Sequence, residues 1–173
     1  MSKARTDAPA IALRCAVLTI SDTRTADSDS SGDYLAASLA AAGHQCTARA
    51  IVPGNLYGIR RIISDWIADD AVQVILTNGG TGYSHQKSTV AAITPLLDQL
   101  ITGFGELFRQ LSYRDIGSSA LQSEAFAGVA NETLVFCMPG STSACKTAWE
   151  GILREQLDST HRPCNFASDY HHA

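Results

Sequence analysis

The sequence is most constrained at Asn78-Gly79-Gly80-Thr81-Gly82, three glycines within five residues. Ahead of them, Val72-Gln73-Val74-Ile75-Leu76-Thr77 is rich in β-branched residues and short enough for a buried parallel strand. Behind them, after Tyr83 to Ser88, come Val90, Ile93, Leu96, Leu97 and Leu100, spaced three or four apart as on an amphipathic helix. The reading is strand, glycine turn, helix. In an open parallel sheet such a turn lies at the carboxyl edge, where glycines let a ligand approach the backbone and helix amides face an anion. The pattern points to a phosphate-bearing small molecule, although Gly79 and Gly80 equally suit a chain that only needs to turn sharply.

A second turn, Pro139-Gly140-Ser141-Thr142, repeats the arrangement. It follows the strand-like run Thr133 to Met138 and precedes a helix with Ala144, Ala148, Ile152, Leu153 and Leu157 as its apolar positions, N-capped by Ser141, Thr142 or Ser143. Two such turns in one domain suit a common cleft.

At 173 residues the chain is long enough for one domain, too short to expect two, and has no internal repeat or linker that would split it. Its 13 Lys and Arg are scattered and outnumbered by 17 acids, net charge −4, which argues against a nucleic-acid-binding stripe. The five cysteines include no Cys-x-x-Cys pair and read as buried reduced thiols, suited to the cytoplasm. Residues 1–12 read as a flexible tail, being neither signal peptide nor membrane span, and 167–173 as a C-terminal tail. The domain proper is 13–166.

Strand and helix signals alternate along it. Cys15 to Ile20 is a buried strand ending in Ser21-Asp22; a polar loop runs from Thr23 to Gly32; helix one spans about Asp33 to Ala42. Cys46 to Val52 is the next strand, and Ile59, Ile62, Ile63, Trp66 and Ile67 mark helix two. Repeated β-then-α order predicts a three-layer α/β/α sandwich with a mostly parallel sheet. Later, Phe104, Leu107, Phe108 and Leu111 suggest another helix, while Ala125–Ala130 and Thr133–Met138 flank Asn131-Glu132 as a hairpin does, which adds one antiparallel strand. There is no Gly-x-Gly-x-x-Gly after the first strand and no P-loop Gly-Lys-Ser/Thr. The five histidines lack ligand spacing, and Asn131-Glu132-Thr133 reads as a chance match to a glycosylation acceptor.

Taken in order, Val17-Leu18-Thr19-Ile20-Ser21-Asp22-Thr23-Arg24, Ser31-Gly32-Asp33, Ile75 to Gly82, Gly103-Phe104-Gly105-Glu106-Leu107-Phe108-Arg109, Ile116-Gly117-Ser118 and Leu134 to Thr142 resemble successive signatures of the MoaB/MogA molybdopterin-binding domain family. Leu121-Gln122-Ser123, Ala148-Trp149-Glu150 and Arg162-Pro163-Cys164-Asn165-Phe166 resemble its MoaB branch. The resemblance covers about Leu13 to Phe166. It implies a place in molybdenum cofactor biosynthesis, molybdopterin as ligand or substrate, and Mg-ATP-dependent adenylylation of its phosphate in competent members. It also implies a homotrimer or homohexamer, to which Phe104–Leu111 and Trp149 offer apolar surface, and other proteins of the pathway as partners. The implied ligand-binding residues are Ser21, Asp22, Gly79, Gly80, Thr81, Gly82, Ser112, Ser123, Pro139, Gly140 and Ser141. Phosphate donors are expected from the backbone around Gly80 to Gly82 and Gly140 to Ser141.

Three positions depart from the family pattern. Gly54 replaces an acid after the second strand, Lys87 an acid after the glycine loop, and Glu124 a common arginine. At an effective dielectric of about 20, unit charges about 5 Å apart interact by roughly 3 kcal/mol, so an ammonium in place of a carboxylate opposes a divalent ion. Asp22 and Lys87 are the remaining catalytic candidates, Lys87 as a direct phosphate contact and Asp22 as a metal ligand or a loop cap. The expectation is binding of molybdopterin or its adenylylated form with weak or absent catalysis; the alternatives are an active Mg-ATP-dependent molybdopterin adenylyltransferase and a non-catalytic oligomeric scaffold of the pathway.

Overall fold

The computed structural model describes residues 9–83 and 88–170. Six strands form one sheet in the order β2-β1-β3-β6-β5-β4. They are β1 (Arg14–Ile20), β2 (Gln45–Val52), β3 (Val74–Gly79), β4 (Gln99–Leu100), β5 (Phe126–Ala130) and β6 (Thr133–Met138). β1 pairs in parallel with β2 and β3, and β3 with β6; β5 runs antiparallel to both β6 and β4. The sheet therefore contains the one reversed strand the sequence predicts. Its hairpin turns at Asn131 and Glu132, both at positive φ (47° and 63°), as a tight two-residue connection between twisted strands requires.

Alternate strand residues feed two cores. On one face Cys15, Val17, Val74, Leu76, Phe136 and Met138 pack against α1 (Ser30–Ala41), α4 (Thr102–Ile116) and α5 (Thr142–Ala148). On the other, Ala16, Leu18, Ile75, Val135 and Cys137 pack against α2 (Leu56–Ile67) and α3 (Thr89–Ile93). Both faces are covered, so the central strands β1, β3 and β6 are buried along almost their whole length instead of alternating, while the edge strands β2 and β4 are largely exposed. Because α1 and α2 lie on opposite faces, the chain leaves β1 in one direction and returns past it to β3. The sheet's switch point is the gap between the carboxyl ends of β1 and β3.

Several boundaries differ from those expected. The helix predicted through Leu100 ends at Ile93; a 3-10 turn at Thr94–Leu96 contains Pro95, and Gln99–Leu100 becomes an edge strand. A proline lacks the N–H that continuation requires. α1 begins three residues early because Asp29 caps it. α5 runs into a π-helical stretch, Trp149–Leu153, and then α6 (Arg154–Gln156). Residues 167–170 pack on the domain: Ala167 is fully buried in the first core, and the Tyr170 hydroxyl donates to the Glu132 carbonyl. At the other end, the Ile11 amide donates to Ser159 Oγ at 2.9 Å.

Phe104, Phe108 and Trp149, offered by the sequence as interface residues, are instead core residues of this chain. All five cysteines are free, but Cys46 and Cys164 are exposed, contrary to the uniform burial expected. Cys46 sits on the outer edge strand, where no neighbouring strand covers it.

Candidate functional site

The two glycine turns meet. A cleft of about 360 Å³ opens at the β1/β3 switch, lined by Thr19 to Arg24, Gly54, Asn78 to Thr81, Pro139 and Gly140. Of the residues expected to bind ligand, Ser21, Asp22, Gly79, Gly80, Thr81, Pro139 and Gly140 line it. Ser112, Ser123 and Ser141 line an adjoining cleft of about 230 Å³ that shares Pro139. Gly82 lines neither, and Lys87 lies outside the described residues.

Close packing explains the glycines. Gly79 has φ +92°, and a Cβ there falls 2.2 Å from the Ile20 carbonyl oxygen on β1. Gly140 lies so near Gly79 that its Cβ stands 3.0 Å from the Gly79 Cα. Thr89, opening α3, anchors the first turn twice: its amide donates to Gly80 O at 3.1 Å and its hydroxyl to Gly79 O at 2.9 Å. The second turn is tied to α1 by Ser31 Oγ, which donates to Gly140 O at 2.8 Å. Ser141 is the N-cap of α5, its Oγ accepting from the Ala144 amide at 3.2 Å.

Beneath the cleft runs an ordered polar chain that the sequence reading missed. Asn78 Nδ2 donates to Thr19 Oγ1 at 2.9 Å, and Thr19 Oγ1 donates to Asp29 Oδ2 at 2.8 Å. Asp29, 1% exposed, also accepts from the Gly32 amide and from Arg49. A Cβ on Gly32 falls 2.1 Å from Asp29 Oδ2, which gives Ser31-Gly32-Asp33 a steric role. An N-cap signal was present in Asp29-Ser30-Ser31, but the polar loop around it concealed the helix start.

The carboxylates do not make a metal cage. Asp22 Oδ1 accepts from the Gly54 amide at 2.9 Å, the loop-capping role. Glu124 Oε2 accepts from the Gly82 amide at 2.7 Å. Arg109 holds that glutamate's neighbours by donating to the carbonyls of Ser123 and Ala125. The Gly82 amide, expected as an anion donor, is thus already paired with a carboxylate. No cluster of three or more His, Cys, Asp or Glu suited to a metal occurs among the described residues, and Gly54 brings no side chain. Among the described residues Asp22 is the one side-chain carboxylate lining the cleft; magnesium takes one or two carboxylates together with substrate phosphates, so the site offers it a single protein ligand. The Cys145 thiol, 3.8 Å from Pro139 O, is pushed up to about 12 by burial and stays protonated, so it is not an activated nucleophile. The arrangement suits binding of a polar small molecule by turn backbone and hydroxyls, with Arg24 in the lining, its Nη1 donating to Ser28 O and Ser30 Oγ.

A mostly parallel α/β sandwich with paired glycine turns at its switch point defines the class of open-sheet α/β domains whose cleft lies at the carboxyl ends of the strands. Within it, the family described as "Probable molybdopterin binding domain" matches residues 16–159. The chain is 53% identical over 156 residues to molybdenum cofactor biosynthesis protein B of Escherichia coli strain K12, covering 90% of this chain and 92% of that one. A crystal structure of a molybdenum cofactor biosynthesis protein B superposes with TM-score 0.83 at 42% identity, over 85% of this chain and 92% of the other. The tungsten cofactor synthesizing protein MoaB from Pyrococcus furiosus superposes with TM-score 0.75 at 30% identity, over 84% and 92%. This chain belongs to the molybdenum cofactor biosynthesis protein B family and carries its molybdopterin-binding domain. No helix among the described residues is long and apolar enough to cross a membrane.

Proposed function

We propose that this protein acts in molybdenum cofactor biosynthesis by binding molybdopterin, or its adenylylated form, in the cleft at the β1/β3 switch, with adenylyl transfer weak or absent. The observation that carries the reading is the convergence of the Gly79–Thr81 and Pro139–Gly140 turns on one polar cleft. The reading of weak catalysis is supported by the donor set: Asp22, the one carboxylate among the described residues lining the cleft, accepts from the Gly54 amide, while Glu124, outside the cleft lining, accepts from Gly82. Adenylyl transfer depends on positioning and charge neutralisation, which these acids are not arranged to supply through a metal. By family analogy the protein is a cytoplasmic homotrimer or homohexamer. Tyr113 and Ile116 on α4 and Leu121 just after it are exposed apolar residues available to a neighbouring copy.

The test is titration with molybdopterin, then incubation of the complex with Mg-ATP and analysis for adenylylated product. Saturable binding without product is expected from the unmodified protein, and Gly54→Asp/Lys87→Asp, which restores the missing acids, should bind as well and gain product if their loss is what weakens catalysis. Product from the unmodified protein contradicts the catalytic half of the reading, and absence of binding makes the protein a scaffold instead.

A further inference from the structure

Asn78 is 1% exposed, yet its Oδ1 has no hydrogen-bond partner among the described residues. Its orientation is dictated by its neighbours. Asp29 accepts from the Gly32 amide, from Arg49 and from Thr19; with its hydroxyl hydrogen donated to Asp29, Thr19 accepts, so Asn78 presents its NH2 to Thr19. The carbonyl oxygen is left over, on a residue that lines the cleft. The other buried atom of this kind, Thr77 Oγ1, belongs elsewhere: Thr77 is paired across the β3–β6 ladder with Cys137, whose thiol it contacts.

Buried acceptors are rarely left unpaired. We infer that Asn78 is a specificity-determining residue of the cleft: its Oδ1 accepts one hydrogen bond from a ligand N–H edge and turns away an anionic oxygen. The inference deepens the molybdopterin reading, on which it rests for the ligand's identity. Two heterocycles offer such an edge, the pterin of molybdopterin and the adenine of an adenylyl group. The phosphate then lies away from Asn78, toward Arg24 and the turn backbone.

Asn78→Leu and Asn78→Ala are compared with the unmodified protein in titrations with molybdopterin, AMP and inorganic pyrophosphate, and in ligand-free thermal unfolding. The expected result is an affinity loss of about tenfold or more for molybdopterin or for AMP, whichever supplies the donor, with pyrophosphate binding unchanged or tighter. Ligand-free melting should be unchanged or raised in Asn78→Leu, since a half-satisfied amide is removed. Unaltered affinity for both heterocycles in folded variants overturns the inference, because the ligand then makes no bond to Oδ1. If the unmodified protein binds neither heterocycle, the molybdopterin reading fails and the melting data decide alone. An unchanged or raised melting temperature still supports a residue kept for a ligand, and a fall of several degrees in both variants marks a structural bond to Thr19 and overturns it.

Discussion

Gly79 and Gly82 sit in the same turn at positive φ but under different constraints. Gly79→Ala brings left-handed backbone strain and a Cβ 2.2 Å from the Ile20 carbonyl, so urea unfolding should record a loss above about 2 kcal/mol. Around Gly82 nothing lies within 4 Å of a built Cβ, and Gly82→Ala should cost only conformational strain, about 1–2 kcal/mol. Equal losses would contradict this division. The glycine cluster itself was legible in the sequence, because positive φ and close approach leave a compositional trace. Which glycine packs on β1 was not, since that depends on the pairing of Ile20 with Gly79. Glu124 was legible only as an odd residue at its position; its bond to Gly82 joins residues 42 apart and leaves no local signal.

At the level of elements, α1 is held to the sheet by its own cap. Asp29→Ala removes the acceptor for Gly32 and Thr19 and a partner of Arg49, and should lower stability by about 2–3 kcal/mol in chemical unfolding; a loss under 0.5 kcal/mol would mean that water replaces the carboxylate. The turn after α1 carries a pH dependence. His44 is buried, its Nδ1 accepts from the Leu13 amide at 3.2 Å, and burial lowers its pKa against an opposing pull from Asp158. The unfolded chain therefore binds the proton more readily. Stability from this group is complete above the ordinary histidine value of about 6.5 and is lost as pH falls toward the lower folded value. His44→Gln should flatten that part of the stability profile, and an identical slope in the variant would assign the acid loss elsewhere. Hydrophobic spacing located α2 and α4 well. It overextended α3 because Leu96, Leu97 and Leu100 keep helical spacing beyond Pro95 while serving a turn and an edge strand.

For the whole molecule, alternating β and α signals with one polar two-residue turn sufficed to specify a mostly parallel sheet with one reversed strand. Strand order was beyond reach, being set by which face each helix covers. Assembly is likewise a property of surfaces: sedimentation should give a trimer or hexamer, and Ile116→Asp/Leu121→Asp should shift it toward monomer, whereas a monomeric unmodified protein would refute the assembly. The central claim is that ligand occupies the β1/β3 cleft, and a co-crystal structure with molybdopterin tests it most directly. The account predicts density between Ser21 and Gly140, against the Gly79–Thr81 turn, with a heterocycle N–H at Asn78 Oδ1. Ligand seated instead in the cavity lined by His44 and His161, or a cleft left unchanged at saturating ligand, would contradict it.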